Sequence, residues 1–157
     1  MGKTLILSGR RDAMTDTFLD KAKPANRFAR AREAQSAALL EDYAEMIGDL
    51  IEERGEARVA DIAARMGVSQ PTATKSIARL KREGLATSRP YRGVFLTSKG
   101  ADLATRVRAR HRTVVAFLIK MGVPEDIAEL DAEGIEHHVS QVTLSVFEKI
   151  VADSKPD

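Results

Sequence analysis

Apolar residues recur at three- and four-residue steps from about residue 31 to 54, where Leu39, Leu40, Tyr43, Ile47, Leu50 and Ile51 fall on one stripe of a helix that Gly55 stops. A second, short amphipathic helix is predicted over residues 58–66, followed by a Gly67-Val68 turn. Ser69 is placed to cap a third helix. Pro71 falls in its first turn, where a missing N–H costs nothing, and Ala73, Ile77 and Leu80 form its inward stripe until Gly84. Residues 85–89 and 94–97 then read as strands, with Pro90-Tyr91-Arg92-Gly93 turning between them. Helical periodicity resumes over 98–121 and breaks at Gly122 and Pro124. It resumes again from about Pro124 to His138, and once more from a Ser140 cap to about Ala152.

Two short helices joined by a tight glycine turn, the second starting at a cap, predict a helix-turn-helix, and a hairpin directly after it is a wing. The expected fold is mainly α: an N-terminal winged helix-turn-helix with a small β-hairpin wing, then a C-terminal helical domain. The divisions are a flexible basic arm over residues 1–30, a reading head over 31–100 and a helical domain over 101–157. The arm carries Lys21, Lys23, Arg27 and Arg30, with Pro24 as a breaker.

Composition narrows the function. With no cysteine, the chain has no disulfide, no thiol nucleophile and no thiolate-bound zinc or iron–sulfur cluster. Aromatic residues make up 4% with no Trp, which speaks against stacking single-stranded bases. No stretch approaches the ~20 apolar residues of a membrane span, and the start, Met1 to Leu7, is too short an apolar run for a signal peptide. A cytoplasmic chain with no membrane partner is expected. The net charge of +2 hides a polarity. Between Arg65 and Lys99 eight basic residues face one acid, Glu83, whereas residues 124–138 hold six acids and no Lys or Arg. The basic centre calls for a polyanion.

The third helix presents its first residues, Ser69, Gln70, Thr72, Ala73 and Thr74, to base edges in a major groove, although Ala73 also falls on the inward stripe. Gln suits adenine, and Ala or the Thr methyl suits the thymine methyl. Lys75 and Arg79 are placed for phosphates, and Tyr91 and Arg92 of the wing for phosphate or the minor groove. Any one of these cations reads equally well as a solvated surface charge. Cap, small polar helix start, basic tail and basic hairpin tip in one register point to double-stranded DNA.

The acidic segment has its own chemistry. Glu133, Glu136 and His137 stand at i, i+3 and i+4 and share one helical face, two carboxylates and an imidazole suited to a divalent cation. Further donors are needed. Asp42 and Glu45 form an i, i+3 pair on the first helix, and His111 is the only histidine outside the cluster. Taken singly, Asp42 and Glu45 read as exposed acids and His111, after Arg108 and Arg110, as a surface cation. His138 points about 100° away from His137 and reads as structural or outer-sphere. Together the six side chains suffice for two ions if carboxylates bridge. A di-metal carboxylate enzyme would need Glu-x-x-His on two helices. The residues three before His111, His137 and His138 are Arg108, Gly134 and Ile135, so no enzyme is expected.

The winged helix, the segment Tyr91-Arg92-Gly93-Val94-Phe95-Leu96-Thr97 and above all Glu133-Gly134-Ile135-Glu136-His137-His138 resemble the manganese branch of the diphtheria-toxin-repressor (DtxR/MntR) family over about residues 39–150. The resemblance implies a homodimeric repressor of metal-uptake or metal-homeostasis genes, with the C-terminal helices as its dimerisation domain. It implies two adjacent Mn2+ ions per subunit, held by Asp42, Glu45, His111, Glu133, Glu136 and His137. The iron-sensing branch resembles a site with Met at the position of Asp42 and Cys at that of Glu133. Carboxylates at both favour Mn2+, with Fe2+ or another divalent ion as the alternative. A winged-helix regulator of a small organic ligand is the reading that remains if the acids are merely a solvated face. The basic extension of about forty residues departs from the smallest family members.

Overall fold

The computed structural model describes residues 24–89 and 92–153. Ala34–Asp157 forms one compact unit, divided from the residues before it. The described elements run α1 (Pro24–Arg54), α2 (Val59–Met66), α3 (Gln70–Arg82), β1 (Ala86–Arg89), β2 (Gly93–Leu96), α4 (Ser98–Lys120), α5 (Glu125–Ile135) and α6 (Gln141–Ala152). The mainly α architecture, with a hairpin wing after a helix-turn-helix, is the one expected. None of the described helices is long and apolar enough to cross a membrane.

Two boundaries differ from the sequence reading. Helix α1 starts at Pro24, about two turns earlier than expected. A proline in the first turn needs no N–H partner, and the alanines and arginines after it are good helix formers. The expected arm is therefore helical from residue 24, and its residues 1–23 lie outside the described ones. At the other end, α5 stops at Ile135 rather than His138. Glu136 still donates its N–H to the Ala132 carbonyl (2.9 Å), but His138 bonds back to Ile135 (3.0 Å), a tighter turn that closes the helix.

Two apolar clusters organise Ala34–Asp157. The first joins Leu40, Tyr43, Ile47 and Leu50 of α1, Ile62 and Ala63 of α2, Ala73, Ile77 and Leu80 of α3, and Leu85, Ala86 and Val94 around the hairpin. Leu39, read onto the same stripe, is exposed, because one residue along a helix turns the side chain by about 100° away from Leu40. The second cluster joins Val114 and Val115 of α4, Ala128 and Ala132 of α5, and Leu144 of α6. Beside it Phe117 and Phe147 stack at 3.8 Å between ring centroids. Helix α4 serves both clusters, Leu103 against the first and Val114 in the second, and His111 lies on the span between them.

Local devices hold the reading head. Gly67 takes a left-handed φ of 65° to turn the chain out of α2. Ser69 Oγ accepts the Thr72 N–H at 3.3 Å, capping α3 as the sequence predicts. The strands pair antiparallel from Ala86 opposite Leu96 to Arg89 opposite Gly93, and Val94 N–H donates to the Ala57 carbonyl at 2.8 Å. Thr97 caps α4, accepting from Gly100 N–H (3.1 Å) and donating to the Gly84 carbonyl (2.7 Å). Gly100 packs so closely that a Cβ there would lie 2.0 Å from the Leu85 carbonyl oxygen. Gly100→Ala is therefore expected to destabilise by about 1–3 kcal/mol, as overpacking does, despite alanine's better helix propensity. Thermal unfolding checks this, and an unchanged midpoint would refute it.

Candidate metal centre and nucleic-acid interface

The six expected metal ligands come from three segments that are far apart in sequence. Asp42 and Glu45 sit on α1, His111 on α4, Glu133 on α5, and Glu136 and His137 in the turn that ends α5. The fold brings them together. Glu136 is the hub. At 1% exposure it is the one charged residue buried among those described, and its Oε2 lies 2.7 Å from His111 Nδ1. Its Oε1 lies 3.4 Å from His137 Nε2. His137 Nε2 in turn meets Asp42 Oδ1 at 2.8 Å, which links the turn after α5 to α1. Glu133 Oε1 stands 3.9 Å from His111 Nδ1 with its side chain 71% exposed. Among the described residues Glu45 makes no hydrogen bond or ion pair with the others, but the charges of Glu133 and His111 act on it. His138, the remaining histidine, is exposed.

Two carboxylates outside the expected set also belong to this cluster. Glu41 Oε2 lies 2.7 Å from His137 Nδ1 and is held from behind by Arg110. The Nε of Arg110 is a buried donor without a partner among the described residues. Glu129 Oε2 lies 2.8 Å from His111 Nε2. Nearby, Arg108 pairs with Asp49 (2.5 Å) and Glu52 (2.9 Å) and ties α4 to α1 beside the cluster.

The electrostatics follow from this crowding. Burial pushes the Glu136 carboxyl up to about 7, against the pull of both imidazoles. Hydrogen bonds to Asp42 and Glu41 push His137 up to about 10. His111 is also raised: burial opposes its charge, but Glu129 and Glu136 outweigh that. Glu45 is raised by burial and by the charges of Asp49 and Glu133. Glu41 is lowered: burial works the other way, but hydrogen bonds from His137 and Arg110 prevail. Among the described residues no three His, Asp or Glu side chains are arranged, as they stand, to hold one ion. The rings and carboxylates instead meet in hydrogen-bonded pairs. The donor set, imidazole nitrogens and carboxylate oxygens without sulfur, fits a hard or borderline divalent cation.

The DNA-reading residues divide by what already engages them. Gln70 and Lys75 are exposed at the start of α3. Ser69 and Thr72 bond each other through their hydroxyls at 2.9 Å, and the Thr74 hydroxyl donates to the Gln70 carbonyl at 2.8 Å. Ala73, offered for a thymine methyl, is fully buried and faces the core, as its place on the inward stripe requires. Arg79 is half-buried and donates to the Ser36 carbonyl of α1 at 3.1 Å. Arg92 is exposed at the hairpin turn, whereas Tyr91 lies outside the described residues. Arg89 stacks over the Phe95 ring at 5.1 Å within the wing.

Comparison with known proteins gives this arrangement a family. Residues 37–94 match the N-terminal DNA-binding domain of the iron dependent repressors, and residues 97–156 match their metal-binding and dimerisation domain. The chain belongs to the iron dependent repressor (DtxR/MntR) family. It is 53% identical to the transcriptional regulator MntR of Escherichia coli O157:H7 over 120 residues, 76% of this chain and 77% of that one. It is 44% identical to the HTH-type transcriptional regulator MntR of Bacillus subtilis over 101 residues, 64% of this chain and 71% of that one. Among solved structures it resembles the manganese regulator SloR, with 31% identity and a TM-score of 0.65 over 74% of this chain and 54% of that chain. This chain thus spans about half the length of that protein. The iron dependent repressor family consists of transcriptional regulators, not enzymes, and its C-terminal domain binds metal.

Proposed function

We propose that the chain is a manganese-responsive transcriptional repressor of metal-uptake or metal-homeostasis genes, which binds double-stranded operator DNA as a homodimer. Residues 31–100 form its reading head and residues 101–157 its metal-binding and dimerisation domain. Asp42, Glu45, His111, Glu133, Glu136 and His137 hold two Mn2+ ions per subunit. The observation that carries this reading is the buried Glu136 carboxylate between His111 and His137, with His137 reaching Asp42 on α1. A carboxylate buried this completely is costly outside a charged, hydrogen-bonded cluster, and its place between two imidazoles speaks against a merely solvated acidic face. Exposed Ile127, Leu130, Val142 and Val146 on α5 and α6 supply apolar surface for the second subunit.

A bound divalent ion supplies positive charge to clustered carboxylates. The chain's own residues turn that into a DNA response. Asp42 and Glu45 belong to α1, whose apolar stripe is part of the head's core. His111 belongs to α4, and Glu133, Glu136 and His137 to α5 and its closing turn. Ligands on both sides therefore fix the joint between head and dimerisation domain, and so set the spacing at which two heads meet two half-sites. At the interface, Gln70 and Thr72 read bases, with Ser69 and Thr74 shaping the helix start. Lys75, Arg79, Arg92 and Tyr91 contact phosphates.

Fluorescence anisotropy on DNA from the protein's own promoter region, with Mn2+, anaerobic Fe2+ and Zn2+ in parallel, tests the reading. Manganese is expected to tighten binding roughly 5- to 150-fold, the range of a 1–3 kcal/mol coupling. Equal affinity with and without manganese would overturn it. A larger gain with Fe2+ would favour an iron-responsive regulator.

A further inference from the structure

We propose that Glu41 and Glu129 are positioning residues that fix, in opposite senses, which ring nitrogen each metal-binding histidine presents to the ion. The inference rests on the metal-site reading above and deepens it. Each histidine has one nitrogen toward the proposed ligands and one toward a carboxylate outside that set. In His137, Nε2 faces Asp42 (2.8 Å) and Glu136 (3.4 Å), while Nδ1 faces Glu41 (2.7 Å). In His111, Nδ1 faces Glu136 (2.7 Å) and Glu133 (3.9 Å), while Nε2 faces Glu129 (2.8 Å).

An imidazole that ligates a metal offers one bare nitrogen and keeps a proton on the other. The group that accepts this second N–H sets the tautomer, the ring plane and the basicity of the ligand. Glu41 therefore holds His137 for binding through Nε2, and Glu129 holds His111 for binding through Nδ1. The two are not equivalent. Glu41 is gripped between His137 and Arg110 with its side chain 18% exposed, so it is fixed in place. Glu129 has a 55% exposed side chain and, among the described residues, pairs with His111 alone, so it orients its ring more loosely. Glu41 links α1 to the turn after α5 by a route parallel to Asp42, so the same contact that sets the ring also spans the joint.

The test uses the full chain, wild type, Glu41→Gln and Glu129→Gln, each checked for folding by thermal unfolding. Manganese binding is measured by calorimetry, and nitrogen ligation by one-bond coupling between 113Cd2+ and 15N-labelled histidine rings. Wild type should show coupling at Nε2 of His137 and Nδ1 of His111. Glu41→Gln should weaken manganese binding by about 10- to 100-fold, the usual cost of losing an outer-sphere partner. Glu129→Gln should weaken it less, with the ion count unchanged. If Glu41→Gln fails to fold, Glu129→Gln and the wild-type couplings still decide the matter. Wild type that binds no manganese would sink the metal-site reading itself. Wild type that binds manganese, but with both rings ligating through the same type of nitrogen, or with both variants binding as tightly, would overturn only the positioning role. Loss of one ion in Glu129→Gln would make that residue a ligand and overturn its part of the proposal.

Discussion

Replacing Glu136 by glutamine is expected to abolish the manganese-dependent gain in operator affinity while leaving the fold intact. The amide keeps the volume and most of the hydrogen-bonding capacity of the carboxyl, so the two apolar clusters are undisturbed. It removes the buried negative charge that faces both imidazoles. A lost ligand should weaken metal binding by more than the roughly 10- to 100-fold of a lost outer-sphere partner. The whole 5- to 150-fold coupling to DNA then goes with it. The fold should survive for a reason the pKa supplies. Glu136 is raised from 4.5 to about 7 on folding, so its contribution to metal-free stability is fully present below about 4.5 and lost as pH rises through about 7. Above that, the wild-type carboxylate is a buried charge, and an amide that never ionises should melt at the same temperature or higher. Anisotropy with and without manganese, alongside metal-free melts near pH 8, checks both halves. A variant that keeps the wild-type gain, or one that unfolds, would defeat the assignment of Glu136 as the hub.

The sequence made the proposed ligands legible as candidates because the donors of each pair or trio are local. Glu133, Glu136 and His137 share a face by spacing alone, and Asp42 and Glu45 do the same on α1. Ser69, Pro71 and Gly67 announced the helix-turn-helix because capping and turn chemistry are also local. What escaped were groups whose meaning depends on a distant partner. Glu41 is one more acid beside Asp42 until the fold sets His137 against it, 96 residues away. Arg110 reads as a surface cation until Glu41 is placed behind it. Glu129 left a weak signal, since it precedes Glu133 by four residues and extends the same acidic face by a turn. Arg79 has a second partner that the sequence does not announce. Its place in the basic tail suggests phosphate, but the proximity of α1, invisible in sequence, gives it the Ser36 carbonyl as a partner. The early end of α5 is a matter of a single tightened turn, and periodicity does not resolve one turn.

Manganese affinity should rise steeply with pH, by at least about tenfold per unit across the neutral range, with a proton released for each His137 that ligates. Hydrogen bonds to Asp42 and Glu41 raise His137 from 6.5 to about 10, so at neutral pH the ring is an imidazolium. A metal takes the neutral ring, so binding must expel that proton. The proton-loaded form dominates below the raised value; affinity therefore falls as pH falls and levels off only above about 10. One proton per ion gives one logarithmic unit of affinity per pH unit, about 1.4 kcal/mol. His111 shifts in the same direction and adds to the slope near neutrality, as Glu136 does below about 7. The linkage to stability runs the opposite way in the metal-free protein. The contribution of His137 is fully present below about 6.5 and is lost as pH rises through about 10. Raising the pH thus weakens the free fold over the same window in which it tightens metal binding, and the melting gap between loaded and free protein must widen. Calorimetry at about pH 6.5 and about pH 8.5, in buffers of contrasting ionisation enthalpy, reads the slope and the proton count together. Flat affinity with no buffer dependence would mean that His137 does not ligate. The imidazolium would then keep its ion pair with Asp42 at 2.8 Å, and that pair rather than an ion would tie α1 to the turn after α5.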